Sequence, residues 1–254
     1  MNSENLNYDT VYSKSSTVAG RVNFNTQAKN DYTTNEAFKT LRTNLLFCGS
    51  NIKTVLITST NENEGKSTVS TELAKCLAEI EKKTLLIDAD MRKSVILRRN
   101  LKTQNIMGLS ELLTGQAELN QVLYNTQVPD FDVIFSGHFP PNPVELLNSA
   151  LFAKLLEQFK KKYDYIIIDT PPLNPVIDAA VIGVNCDGAI IVVSPGKTKF
   201  QDALSIKAQL EKSNCKILGA VLNETDPKHK DKSRTYKNYY YTSETTTQNP
   251  LKRK

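Results

Sequence analysis

Residues 53–73, KTVLITSTNENEGKSTVSTEL, decide how this chain is read. The stretch opens on Val55, Leu56 and Ile57, an apolar, β-branched run that suits a buried strand, and turns through polar residues 59–64. It enters a helical pattern at Gly65, Lys66, Ser67 and Thr68. That is the layout of a phosphate-binding loop. Triphosphate oxygens need several backbone N–H donors pointing one way, and a loop feeding a helix N-terminus supplies them. Lys66 adds a positive charge at the β and γ phosphates, and Ser67 offers a hydroxyl to Mg²⁺. Glu64, Gly65, Lys66, Ser67 and Thr68 are therefore the nucleotide-binding candidates. Thr60 stands where the full motif has glycine, so the loop is a variant. Its plain alternative is a Gly-Lys-Ser helix start with a solvated lysine.

Two later strand ends favour the phosphate loop. Residues 82–93, KKTLLIDADMRK, re-enter the sheet with Leu85, Leu86 and Ile87, and Asp88 and Asp90 fall at the C-terminal end of that run. Residues two apart on a strand face one side, and ligands of open parallel sheets sit beyond the strand ends. Two carboxylates that close repel each other unless a cation lies with them, so Mg²⁺ accounts for the pair better than solvated turn aspartates do. Residues 163–172, YDYIIIDTPP, repeat the form, with a near-continuous apolar strand ending in Asp169. That is the position of the Walker B acid, which holds Mg²⁺ through a serine or a water. Loop, paired aspartates and strand-end aspartate, in that order, mark a Mg-nucleotide site.

The alternation continues. Residues 187–199 and 215–225 supply two more strands with a helix over 200–212 between them, and a further strand is predicted over 131–137. Helices are predicted over 34–49, 66–81 and 107–115. One long helix is expected from Asn142 as cap and Pro143 in the first turn, burying Leu146, Leu147, Phe152, Leu155, Leu156 and Phe159. The pattern implies an α/β fold: a doubly wound, mainly parallel sheet with helices on both faces, of the P-loop NTPase type. Asn223 ends the last strand on the side where a base would lie, where its amide can read a purine edge or serve a turn. The first helix carries Glu36, Lys39 and Arg42 at intervals of three, a charged ridge for a neighbouring subunit or ordinary support along a surface helix.

The 254 residues suit one such domain over 34–225, preceded by an extended or poorly ordered arm over 1–33 and followed by a tail over 226–254. The net charge of +5 lies in that tail, which has eight lysines and arginines against three acids. A polyanion contact is the sharper reading of this basic tail and solvation the plainer one, and no nucleic-acid partner is expected. Four tyrosines, Tyr236, Tyr239, Tyr240 and Tyr241, fall within six positions of it. Disordered tails are usually poor in aromatics, so the cluster is either a sticky interaction motif or a set of phosphorylation acceptors. The four cysteines show no metal spacing and, with no signal peptide, read as reduced cytosolic thiols. No apolar run nears the ~20 residues of a membrane span.

With these residues in hand, the chain resembles the bacterial tyrosine kinases, cytoplasmic Mg-ATP enzymes linked to capsular and exopolysaccharide export. The resemblance runs over about residues 35–223 plus the tail. It rests on EAFKTLRTNL (36–45), NEGKST (63–68), LLIDADMRK (85–93), GLSELLTG (108–115), PPNPVELL (140–147), IIIDTPP (166–172) and the tyrosine cluster. It implies ATP and Mg²⁺ as cofactors. Lys66 would lie on the β and γ phosphates, Ser67, Asp88 and Asp169 on the metal, and Asp90 near the acceptor hydroxyl, with Lys66, Asp88 and Asp90 catalytic. It implies ring assembly through Glu36, Lys39 and Arg42, although Lys39 stands where the family carries arginine and cannot give a guanidinium's two-pronged hydrogen bonding. It also implies a membrane-embedded activator that recruits the cytoplasmic chain to the membrane, a cognate tyrosine phosphatase and protein substrates. Two rivals are a partitioning-type positioning ATPase and a nucleotide-regulated scaffold. The first carries an extra lysine at the front of the loop, where this chain has Asn61, and neither rival involves a phosphorylated tail.

Overall fold

The computed structural model of the chain describes residues 18–24, 32–100, 106–173 and 178–225. The described strands are β1 (Gly20–Val22), β2 (Thr54–Ser59), β3 (Thr84–Asp88), β4 (Leu123–Thr126), β5 (Phe131–Ile134), β6 (Tyr165–Asp169), β7 (Gly188–Val193) and β8 (Ile217–Leu222). They form one sheet in the order β1-β4-β5-β3-β6-β2-β7-β8. From β5 to β8 every pairing is parallel, whereas β4 runs antiparallel to β5 and carries β1 parallel to itself. The helices are α1 (Tyr32–Phe47), α2 (Lys66–Ala78), α3 (Val95–Asn100), α4 (Leu109–Leu113), α5 (Leu119–Val122), α6 (Pro143–Leu147), α7 (Ala150–Lys162), α8 (Asp178–Gly183) and α9 (Phe200–Lys212).

Strand periodicity sorts the interior into two cores. Leu56, Leu85, Ile87, Ile166 and Ile168 pack with α7 through Phe152, Leu155, Leu156 and Phe159, and with α9 through Ile206 and Leu210. Val55, Ile57, Leu86, Tyr165 and Ile167, one step out of phase, pack with α2 through Val69, Leu73 and Leu77, and with Leu45 of α1. The sheet is therefore covered on both faces, which is why its central strands read as continuous apolar runs. Among the described residues no helix is long and apolar enough to cross a membrane.

Four local expectations are corrected. The long helix after Asn142 is two helices: Ser149 has extended backbone, and its Oγ accepts from Phe152 N at 3.2 Å, capping α7 afresh. Asn148 and Ser149 compete for backbone bonds in this way, so they interrupt a run whose apolar spacing alone looks continuous. Helix α2 stops at Ala78, and a turn with Glu81 at φ +60° leaves Ile80 half-buried outside it. The strand expected over 131–137 ends at Ile134, because the chain turns there through Gly137. Helix α1 begins at Tyr32, two residues ahead of its predicted start at 34. The short β1 and β4 lack the apolar periodicity that would reveal them, and they form because the sheet offers an edge.

Candidate active site

The loop after β2 is shaped by one side chain. The buried Glu64 carboxylate accepts the backbone N–H of Thr60 (2.8 Å) and of Asn61 (3.0 Å), the hydroxyls of Thr60 (2.6 Å) and Thr198 (2.5 Å), and the Asn61 amide (3.2 Å). Burial pushes this carboxyl up, but the donors around it outweigh burial and hold it below the usual carboxylate range. The curl is thus fastened from within, with threonine rather than glycine at position 60. Gly65 sits at φ +84°, and a Cβ there would fall 2.0 Å from Asn223 Nδ2. That amide donates to Glu64 O at 3.0 Å, so Asn223 braces the loop's backbone. Helix α2 then starts with Thr68 N and Val69 N on Gly65 O, both at 3.0 Å.

The acids converge on this helix start for a reason of phase. Asp88 and Asp169 are register partners in β3 and β6. They share the parity of Leu86 and Ile167, which face α2. Asp169 Oδ1 accepts from Ser70 Oγ at 2.8 Å and the carboxyl is also bonded by Ser67, while its Oδ2 is buried with no partner. Asp88 accepts the Ser94 hydroxyl on one oxygen and Asp90 N, at 3.2 Å, on the other. Lys66 Nζ lies 3.5 Å from Asp90 Oδ2, both side chains nearly buried. Burial, then the charge of Asp169, raises the Asp88 carboxyl well above its ordinary range. Burial raises Asp169 to about 6 against the pull of Lys66. Two buried carboxyls side by side, one with an orphaned oxygen, fit a divalent cation. Among the described residues no group of three His, Cys, Asp or Glu could hold a metal by itself. A cation here would therefore take Ser67, the aspartates and nucleotide oxygens together, as Mg²⁺ does with few protein ligands.

The AAA domain family model matches residues 52–213. Tyrosine-protein kinase CpsD of Streptococcus agalactiae is 46% identical over 193 residues, covering 76% of this chain and 84% of that protein. The chain belongs to the bacterial tyrosine-protein kinases. Among solved structures, the kinase domain of Escherichia coli tyrosine kinase ETK superposes with a TM-score of 0.69 at 35% identity, over 76% of this chain and 78% of that one. The septum site-determining protein MinD of Pyrococcus horikoshii, solved with Mg-ADP, is more distant at TM-score 0.57 and 25% identity, over 67% and 70%. Fold and enzyme class follow: a P-loop kinase of the non-receptor type, moving a phosphoryl group from ATP to tyrosine.

In this kinase, Lys66, Ser67, Asp88, Asp90 and Asp169 lie in one cluster, with Gly65 and Thr68 beside them on a cavity of about 210 Å³. Glu64 and Asn223 stand behind the loop. Along α1, Lys39 pairs with Glu36 at 2.8 Å on the exposed face, while Arg42 turns inward and donates to Cys76 O at 3.0 Å. Tyr236, Tyr239, Tyr240 and Tyr241 lie outside the described residues. Sequence reasoning missed Ser70, Ser94 and Thr198, each a hydroxyl bonded to one of the loop or strand-end carboxylates. Ser70, one helical turn beyond Lys66, carries a usable signal, since it must face the sheet with Lys66. Ser94 and Thr198 carry none. The cavity wall of Arg92, Lys93, Arg98 and Arg99 was also passed over.

Proposed function

We propose that this kinase phosphorylates its own tail at Tyr236, Tyr239, Tyr240 and Tyr241, on a neighbouring subunit, with Mg-ATP as donor. The single observation that carries the reading is Lys66 beside Asp90, backed by Asp88 and Asp169 on adjacent strands. A tyrosine hydroxyl has a pKa near ~10, so it must give up its proton as it attacks. The bond from the tyrosine oxygen to the γ-phosphorus forms, the bond to the departing ADP breaks, and Asp90 accepts or orients the proton. Lys66 offsets charge on the transferring group, where most of the rate arises. A bound magnesium ion, held by Ser67, Asp88 and Asp169, would supply further charge neutralisation.

The same reading assigns a ring of subunits joined through the ridge of Glu36, Lys39 and Arg42, of which Glu36 and Lys39 are exposed and Arg42 is held inward on Cys76 O. It also assigns a membrane-embedded activator that holds the chain at the inner membrane face, a cognate phosphatase, and a role in capsular or exopolysaccharide synthesis. Family membership and the exposed Glu36–Lys39 ridge support these assignments. Incubation of purified chain with Mg-ATP and a phosphotyrosine blot tests the reading: wild type gains signal on the tail and Lys66→Met does not. Hydrolysis of ATP without phosphotyrosine would leave a positioning ATPase instead. Transfer between subunits predicts a rate per enzyme that rises with concentration, and first-order kinetics across a dilution series would rule it out.

A further inference from the structure

One wall of the nucleotide cavity is basic, and its side chains are not equivalent. Lys93 pairs with Glu62 at 2.6 Å, and Arg92 makes a two-pronged bond to the buried Asp178 at 2.9 and 3.2 Å. Arg99 donates to Thr68 Oγ1 at 3.0 Å. Arg98 is exposed and donates its Nε to Ser94 O at 2.9 Å, and no carboxylate among the described residues pairs with it. Ser94 fixes where this wall stands. Its hydroxyl is bonded to Asp88, and its Oγ accepts from Leu97 N at 2.9 Å, so α3 is tied to the carboxylates behind the phosphate site. Among the described residues Arg98 is thus a guanidinium without a counter-charge, fastened at the rim of a phosphoryl-transfer cavity.

We propose that Arg98 binds phosphotyrosine: it recognises an aryl phosphate already placed on the tail segment that presents the next acceptor. The proposal rests on the reading that the tail tyrosines are acceptors, and it adds that filling one favours filling the next. Alternate residues of an extended segment point the same way, about 7 Å apart, a step on the scale of the cavity that Asp90 and Arg98 both line. Tyr239 and Tyr241 have that spacing. A guanidinium fork suits a phosphate, and an exposed arginine gains most from a dianion. The unmodified tail carries an excess of five positive charges and offers Arg98 no phosphate. Each phosphate adds about −1.5 to −2, so a fully modified tail turns negative and is attracted. Each modification then favours the next.

The test is the distribution of phosphates per chain, read by intact mass at partial conversion of the full-length protein in Mg-ATP. Wild type is expected to show unmodified and multiply modified chains with single phosphates below the random proportion. Arg98→Ala is expected to return a random distribution, and Arg98→Lys to fall between. A second measurement needs no turnover. The full chain with all four tail tyrosines changed to phenylalanine is titrated with a synthetic peptide of residues 233–244, unmodified or phosphorylated at Tyr239 and Tyr241. The phosphopeptide is expected to bind at least about tenfold tighter, a difference that Arg98→Ala removes. A random distribution in wild type, equal binding of both peptides, or an Arg98→Ala effect confined to KM for ATP would overturn the proposal. Wild type that gains no phosphate at all would defeat the autophosphorylation reading instead, and the peptide titration would still decide what Arg98 binds.

Discussion

At the scale of single residues, the site is held together against its own electrostatics. Asp169 is fully buried, raised to about 6 by burial, and keeps one oxygen without a partner. Such strain persists because the surrounding fold outweighs it. Asp169→Asn removes the buried charge and should stabilise the nucleotide-free chain by roughly 2 kcal/mol at about pH 7.5, read by urea unfolding, while abolishing tyrosine phosphorylation. Gly65 shows the opposite sensitivity. A Cβ there meets the Asn223 amide at 2.0 Å and a backbone at φ +84°, so Gly65→Ala should weaken nucleotide binding by at least about tenfold, measured by titration with ADP. The residue identities at both positions were legible in the sequence, since a strand-end aspartate and a loop glycine are local signals. The orphaned oxygen and the amide that blocks a Cβ were not, because each depends on a partner brought from far along the chain.

At the scale of elements, the phosphate loop is a strand-to-helix turn braced from two sides. Glu64 fastens it from within, Thr198 from the loop between β7 and α9, and Asn223 from the end of β8. Asn223→Ala should cost about 1 kcal/mol through the lost bond to Glu64 O. As a brace, its loss lowers affinity for ATP and GTP alike; a change in preference between the two would instead make Asn223 a reader of the base. The break between α6 and α7 is a second element-scale feature. Ser149→Ala should cost about 1 kcal/mol of stability in urea while leaving activity unchanged, because Ser149 caps α7 remote from the cavity lining. Apolar periodicity predicted both helices as one, since it is blind to a cap inside a continuous stripe. It missed β1 and β4 for the converse reason, as strands of three and four residues carry too little periodicity to register.

At the scale of the molecule, stability is coupled to pH through the buried acids. Asp88 and Asp169 bind protons more tightly in the folded chain than in the unfolded one, where the ordinary value is 3.8. Their contribution to stability is therefore full in acid and is lost as pH rises from about 4 through about 6 and beyond. Thermal unfolding without ligand should show that fall, and saturating Mg-ADP should flatten it by pairing the ionised carboxylates with a cation. An equal slope with and without ligand would show that these acids do not meet the metal. The sequence by itself determined the α/β class, the phosphate loop, the strand-end acids and the tyrosine cluster, because each is a short-range pattern of polarity, spacing and turn chemistry. Only the tertiary structure decided that β3 and β6 lie side by side so that Asp88 faces Asp169, and that Asn223 and Thr198 close the loop from behind. It also set an arginine wall at the cavity rim. Strand order and long-range hydrogen bonds are settled by how two cores pack on one sheet, and no local window of residues contains that information.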